Sequence, residues 1–289
     1  MGTIALVTDS ACDVSPQLQE RYHLDIMSFS ITVDGKSYVE REDFTADEYY
    51  AMLREAQGLP ATAHITPFRF LEKFMAYDDQ GTEDLILVTI CSKGSATNDA
   101  AQVARTQFAE ERPQSKMRIH IVDSYTYSMA YGEVLCQAGQ MVIDGEAAET
   151  ILEFLEDAFA RREVVLAAYS LKFIKQSGRV SAAAAIAGEV LGVRPIITLI
   201  DGESKVVSKV RGIGKVLPAT MEIVKKRIEP GTSYMVGITD MLDEQETREI
   251  CTNVMGYPPK GFFKLGSAVS TNTGPDAVGI VFSGQKRAR

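Results

Sequence analysis

Three small hydroxyl side chains, Ser92, Ser95 and Thr97, sit in the run Ile90-Cys-Ser-Lys-Gly-Ser-Ala-Thr97, directly behind the apolar stretch Asp84-Leu-Ile-Leu-Val-Thr-Ile90. A short apolar run with β-branched residues and polar flanks reads as a buried strand, and alanine and polar residues at helical spacing follow from Asn98. The hydroxyls therefore fall on a strand-to-helix turn. Such a turn aims unpaired backbone N–H groups and the positive end of a helix dipole at one point, which suits a carboxylate or a phosphate. Ser95 also fits a helix N-cap, a place where Ser is favoured without any ligand.

Four other stretches carry polar groups in positions that can do chemistry. In Pro60-Ala-Thr-Ala-His-Ile-Thr-Pro67, Thr66 before Pro67 reads as an N-cap, which leaves Thr62 as a free hydroxyl donor and His64 as either a base or a structural hydrogen-bonder. Lys175-Gln-Ser-Gly-Arg-Val-Ser181 is a Gly-hinged turn between two helical patterns. Its Arg179 suits a bidentate clamp on an anion, or a surface pair with a carboxylate such as Glu189. Ser270-Thr-Asn-Thr-Gly-Pro-Asp-Ala-Val-Gly279 reads as a Gly/Pro turn whose Asn272 can donate to an anion. Asp9, Ser10 and Asp13 follow the first strand, and we read them as turn residues ahead of the Ser15-Pro16 helix start rather than as a site.

Composition narrows the function classes. The net charge of −9 in 289 residues argues against nucleic acid, which needs clustered Lys and Arg. The basic end Lys286-Arg-Ala-Arg289 reads as a solvated tail. Four cysteines, at 12, 91, 136 and 251, lie far apart without a CxxC pair, so reduced thiols are expected rather than a disulfide frame or a zinc site. No basic signal region precedes Thr3-Ile-Ala-Leu-Val-Thr8, and no apolar run approaches the ~18 residues of a membrane span. A cytoplasmic protein without stable membrane insertion, metal or cofactor is expected. The phosphate-loop, dinucleotide, zinc-protease and nucleophile-elbow signatures are absent, and His23, His64 and His120 leave few ways to build a triad.

These residues need a frame. Strands are expected at Ile4–Val7, Ile26–Val33, Leu85–Ile90 and Met117–Val122, with helices near Pro16–Tyr22, Thr45–Glu55, Phe68–Tyr77, Asn98–Glu110 and Ser128–Ile143. Asp34-Gly35 marks a hairpin. Strands separated by helices argue an N-terminal α/β domain, residues 1–160, with a mainly parallel sheet flanked by helices. After a helix over Glu146–Arg162 the rhythm changes. Strands at Glu163–Ala168, Pro195–Ile200, Lys205–Lys209, Tyr234–Thr239, Phe262–Leu265 and Val278–Phe282 mix with helices at Ile213–Ile228 and Glu244–Met255. That pattern predicts a C-terminal α+β domain, residues 161–289, with a mixed or antiparallel sheet.

Taken in order, the motifs resemble the DegV family of bacterial fatty-acid-binding proteins, which includes the lipid-carrier subunit of fatty acid kinase. The family's T-D-S-T-S-D-L pattern is matched by Thr8-Asp-Ser-Ala-Cys-Asp-Val14, its V-x-x-D-G-x-x-Y hairpin by Val33-Asp-Gly-Lys-Ser-Tyr38, and its P-x-T-S-Q-P loop by Pro60-Ala-Thr-Ala-His-Ile65. I-S-S-x-L-S-G-T corresponds to Ile90–Thr97, V-x-D-S to Val122-Asp-Ser124, K-S-G-R-I-S to Gln176–Ser181, K-P to Arg194-Pro195, and G-x-H-T-G-P-G-A-x-G to Ser270–Gly279. The resemblance implies a DegV-like two-domain fold and a long-chain fatty acid whose carboxyl is held by Thr62 and Ser95, with the tail in an apolar tunnel. It also implies a head-group neighbourhood of Arg179 and residue 272, with Ser92 and His64 nearby, and a partner, a dihydroxyacetone-kinase-like fatty acid kinase subunit that phosphorylates the bound acid. Departures stand at that head group: Ala63, His64, Ala96 and Asp276 replace family residues, and the family His is Asn272, which cannot relay a proton near neutral pH. Phe29, Ile31, Ile186, Leu191 and Ile196 are candidate tunnel linings by apolar character. A non-catalytic binding protein is thus expected. The alternatives are an acyl-handling hydrolase or transferase using Ser95 or Ser92 with His64 as base, and a binder of another small anion.

Overall fold

A computed structural model describes residues 3–170, 172–178 and 192–288. Arg179, Ile186 and Leu191 lie outside them. Among the described residues the first half runs β1 (Ile4–Asp9), α1 (Pro16–Arg21), β2 (Asp25–Met27), β3 (Ser30–Val33), β4 (Lys36–Val39), α2 (Ala46–Glu55), β5 (Ala61–Ala63), α3 (Pro67–Asp79), β6 (Asp84–Thr89), α4 (Thr97–Glu111), β7 (Arg118–Asp123), α5 (Met129–Ile143) and α6 (Ala148–Phe159). The second half runs β8 (Arg162–Ala168), α7 (Lys172–Ser177), β9 (Val193–Ile200), β10 (Glu203–Arg211), α8 (Val216–Arg227), β11 (Tyr234–Ile238), α9 (Glu244–Met255), β12 (Gly261–Lys264), α10 (Ser267–Thr273) and β13 (Ala277–Ser283).

The helix starts follow local chemistry. Ser15, Thr45 and Thr66 cap α1, α2 and α3 through their hydroxyls, Pro opens α1 and α3, and Glu48 completes a capping box on α2. The expected α/β frame is present: β2-β1-β6-β7 form a wholly parallel sheet, with every residue of β6 buried. In the second half, β10-β9-β8-β13-β11-β12 form a six-stranded sheet, antiparallel except for the last pair. Alternation gives that sheet two apolar faces. Val165, Ala167, Val278, Ile280 and Phe282 pack with residues of α8 and α9, and Val164, Leu166 and Val281 face the other way. Two covered faces explain why β8 is buried along its whole length.

Four expectations change. The strand over 26–33 is two strands, because Phe29 donates to the Ser10 hydroxyl (2.9 Å) and accepts from Glu40 N–H (2.9 Å), which turns the chain out of the parallel sheet. β3 then heads a small antiparallel sheet, β4-β3-β5, whose hairpin places Asp34 and Gly35 at φ 47° and 81°. The Pro60–Pro67 loop holds a strand, β5, pairing Thr62 with Ile31. The Ser270 stretch opens as the end of a helix, α10, rather than as a turn. Finally, the basic C-terminus is not a solvated tail: Arg287 pairs with Asp201 (2.7 Å) and Glu163 and donates to the Arg162 carbonyl.

Candidate functional site

The β6–α4 turn is pinned from three directions. Asp9, fully buried at the end of β1, accepts from Ile90 N–H (2.7 Å), the Tyr131 hydroxyl (2.6 Å) and Ala11 N–H (3.2 Å). Burial pushes its carboxyl up from 3.8 to about 6, against the pull of those three donors. Asp123 accepts from Ser92 N–H and Tyr125 N–H, and Asn98 donates to the Thr89 hydroxyl. This confirms the structural reading of Asp9. It also corrects the expectation of free N–H groups on the turn. Gly94 and Ser95 N–H both donate to the Cys91 carbonyl, and Ser92 N–H is taken by Asp123. Ser95 is not the N-cap proper, which is Ala96. Its Oγ nevertheless accepts from Thr97 N–H (3.3 Å) and shares a hydrogen bond with Thr97 Oγ1 (2.8 Å).

Across from this turn lies α10, whose sequence Ser-Ala-Val-Ser-Thr-Asn-Thr has poor helix propensity. Back-bonds to the residue four earlier hold it: Thr271 Oγ1 to the Ser267 carbonyl (2.6 Å), Asn272 Nδ2 to that of Ala268 (2.9 Å), and Thr273 Oγ1 to that of Val269 (3.3 Å). Its start is held from the first half. Glu40, 3% exposed, accepts from Ala268 N–H (2.8 Å) and from the Ser10 and Ser267 hydroxyls.

Between the turn, α10 and the six-stranded sheet is an apolar cavity of about 80 Å³. Val164, Leu166, Leu199, Gly279 and Val281 form its floor, Ala268, Val269, Asn272 and Thr273 its roof, and Ile90, Gly94 and Tyr127 one side. Asn272 also borders a second space, of about 150 Å³, at the outer end of α10. That space is a polar mouth lined by Thr62, Phe173, Ser177 and Thr271. The half-buried Thr62 hydroxyl has no hydrogen-bond partner among the described residues. Asn272 thus lines both the apolar cavity and the mouth.

A family profile described as an uncharacterised protein of the DegV family matches residues 3–285. The chain belongs to the DegV family. A DegV domain-containing protein of Caldanaerobacter subterraneus is 30% identical over 98% of this chain and 99% of its own. Among solved structures, a stearic-acid-binding protein from Eubacterium ventriosum superposes with a TM-score of 0.86 at 24% identity, covering 98% of both chains. A DegV protein from Thermus thermophilus, described for its fatty acid binding, gives 0.83 at 24% identity, over 98% of this chain and 100% of that one. One from Eubacterium eligens loaded with heptadecanoic acid gives 0.80 at 22% identity, again over 98% and 100%. At these identities the likeness establishes the fold.

Within this DegV fold, the site residues expected from the sequence divide. Thr62 and Asn272 line one mouth. Ser95 does not line either space, although its neighbour Gly94 lines the cavity. Ser92 stays on the turn, half-buried. His64 is exposed and makes no hydrogen bond or ion pair among the described residues, so the imidazole is not paired with Ser95, whose hydroxyl is engaged by Thr97. Arg179 lies outside the described residues. The tunnel linings are corrected. Phe29 packs in the core of the parallel sheet, Ile31 in the core under β3 and α2, and Ile196 against α8. Apolar character does not tell which face a side chain takes; on β9 the alternation sends Leu199, not Ile196, to the cavity. Thr271, Phe173 and Ser177 at the mouth, and Glu40 behind α10, were missed. The Ser270 stretch drew attention to Thr271, but nothing local signals Glu40. Among the described residues no cluster of His, Cys, Asp or Glu can hold a metal, and no helix is long and apolar enough to cross a membrane.

Proposed function

We propose that this DegV protein binds a long-chain fatty acid, its carboxyl at Thr62 and Ser95 and its tail in the apolar cavity between the two halves. The observation that carries this reading is the place of Asn272. Asn272 lines both an apolar cavity and a polar space bearing a hydroxyl, Thr62, without a hydrogen-bond partner among the described residues. The neighbours described as stearic-acid-binding and as loaded with heptadecanoic acid support the same chemistry. The residue 1–160 half supplies the carboxyl-binding hydroxyls, and the 161–289 half supplies the cavity floor and the closing helix.

Burying about fifteen methylenes at ~0.8 kcal/mol each contributes roughly 12 kcal/mol before ordering costs, and each head-group hydrogen bond about 1 kcal/mol. The tail therefore supplies most of the affinity and the hydroxyls fix orientation. The head-group residues disfavour presentation of the acid to a separate kinase. Asn272 stands at the family His position, and its amide is tied to the Ala268 carbonyl. We therefore expect binding without efficient phosphorylation, and Asn272→His to raise acyl-phosphate formation when a fatty acid kinase subunit and ATP are supplied.

The test is denaturing extraction and mass spectrometry of the protein purified from bacteria, followed by titration with palmitate and oleate. Co-purified acyl species and saturable binding are expected. A Thr62→Ala/Ser95→Ala double change should weaken binding without lowering the melting temperature by more than a few degrees. No extracted lipid together with no binding of either acid overturns the proposal.

A further inference from the structure

Phe263, on β12, lines three spaces at once. On one side is the apolar cavity, with Leu166, Leu265 and Val281. On another is a cleft of about 660 Å³ between the two halves, which Met129, Met235, Asp13 and Glu40 also line. The third is a surface groove beside Asp240 and Lys264. Phe263 is thus the partition between the cavity and the much larger cleft.

The ring is seated by its cross-strand neighbour. Gly237 on β11 stands in register with Phe263, and a Cβ on Gly237 would come within 2.6 Å of ring Cζ. The ring therefore rests on bare backbone, and any side chain at 237 must displace it. α10 orders the spaces along its length. Gly266 and Ser267 border the cleft, Ala268 and Val269 roof the cavity, and Thr271 and Asn272 reach the mouth that holds Thr62.

We infer that Phe263, seated on Gly237, is the end wall of the acyl site and sets the longest tail the protein accepts. This rests on the fatty-acid reading above. A carboxyl at the Thr62 mouth sends the tail back under α10 toward the β12 end of the cavity, where the aromatic ring meets its terminal methyl. Beyond the ring, Met129, Met235 and Leu18 offer apolar surface, whereas Asp13, Glu40, Arg41 and Lys264 make the rest of the cleft polar. Removing the ring therefore joins apolar space to the cavity for a short distance only. Longer acids gain, and the gain is bounded.

The experiment is competition binding across the saturated series from lauric to behenic acid with the wild type, Phe263→Ala, Phe263→Leu and Gly237→Ala, each checked for folding by circular dichroism. Phe263→Ala should move the preferred length upward, with arachidic acid binding roughly tenfold tighter than to the wild type. That is the gain expected when one or two further methylenes leave water. Phe263→Leu should move it less, and it carries the test should the alanine variant fail to fold. Gly237→Ala should move the preference the opposite way, toward myristic and lauric acid. A wild type that binds the series while all folded variants keep its length profile overturns the end-wall assignment and leaves the fatty-acid reading standing. A wild type that binds no member of the series overturns the reading itself, and the wall with it.

Discussion

Two helices begin beside the apolar cavity, and they begin by opposite means. α4 is started by its own turn: Ser95 Oγ accepts from Thr97 N–H, two residues away. α10 is started by Gly266, which has no side chain to cap with, and the acceptor for Ala268 N–H is Glu40, 228 residues earlier in the chain. Asp13 stands behind the same start, its Oδ1 so close to Gly266 that no Cβ fits there and its Oδ2 accepting from the Ser128 hydroxyl. One side of the cavity is thus held wholly within the first half of the chain. The other forms only when both halves of the chain are in place, so folding and closure of the site are coupled on the α10 side alone.

The largest test of that contrast is Glu40→Ala. It strands the Ser10 and Ser267 hydroxyls and Ala268 N–H, all buried, and takes away the only start α10 has among the described residues. A loss of about 3 kcal/mol in urea unfolding is expected, since each buried donor left unpaired costs on the order of 1–3 kcal/mol. Fatty acid affinity should fall with it, because Thr271 and Asn272 ride on α10. Glu40→Gln keeps one acceptor and should lose about half as much. A Glu40→Ala protein destabilised by under about 0.5 kcal/mol would show that α10 stands on its back-bonds alone.

The same contrast explains what was legible in the sequence. The parallel frame, the α1 and α3 caps and the place of the β6–α4 turn were readable because their signals lie within a few residues: Ser15 before Pro16, Thr66 before Pro67, an apolar run before small hydroxyls. Thr62 could be singled out as a hydroxyl with no local duty, but the strand it occupies exists only through pairing with β3. α10 was illegible. Its residues favour turns, and what makes it a helix is a carboxylate on another strand system. Arg287 was hidden for the same reason, since Asp201 and Glu163 are near it only in the fold. The cavity floor was half legible: β8 and β13 showed as apolar runs, but with both faces buried the pattern does not say which residues face the cavity.

A second test uses pH. Burial, with the charge of Glu40 added, pushes the Asp13 carboxyl up from 3.8 to about 8, more than the Ser128 hydroxyl, Gly266 N–H and Arg41 pull it down. An acid whose folded value is raised holds its proton longer in the native state, so unfolding free energy falls as pH rises from 3.8 to about 8 and is level above that. Asp9 contributes the same slope, but only up to about 6. Between pH 6 and 8 the wild type should therefore lose roughly 2 kcal/mol, and Asp13→Asn should be nearly flat over that window. The measurement is chemical denaturation at several pH values. An unchanged slope in Asp13→Asn would mean that Asp13 does not titrate in this window, leaving the difference of the α10 start from α4 one of sequence distance only.

The smallest stability effect belongs to the local side. Ser95→Ala removes the acceptor of Thr97 N–H and the partner of Thr97 Oγ1, and should cost only about 0.5–1 kcal/mol, as loss of a serine near a helix start does. Affinity separates its two duties. If Ser95 holds the carboxyl, Ser95→Ala should weaken palmitate binding about tenfold at nearly unchanged stability, the loss of one hydrogen bond to a charged group. Ser95→Thr should restore both, because it keeps a hydroxyl at the same carbon. Glu40→Ala should behave differently, with affinity and stability falling together. A Ser95→Ala protein that binds palmitate as the wild type does would make Ser95 a capping residue only. The carboxyl would then rest on the α10 side, with Thr62, Thr271 and Asn272 at the mouth.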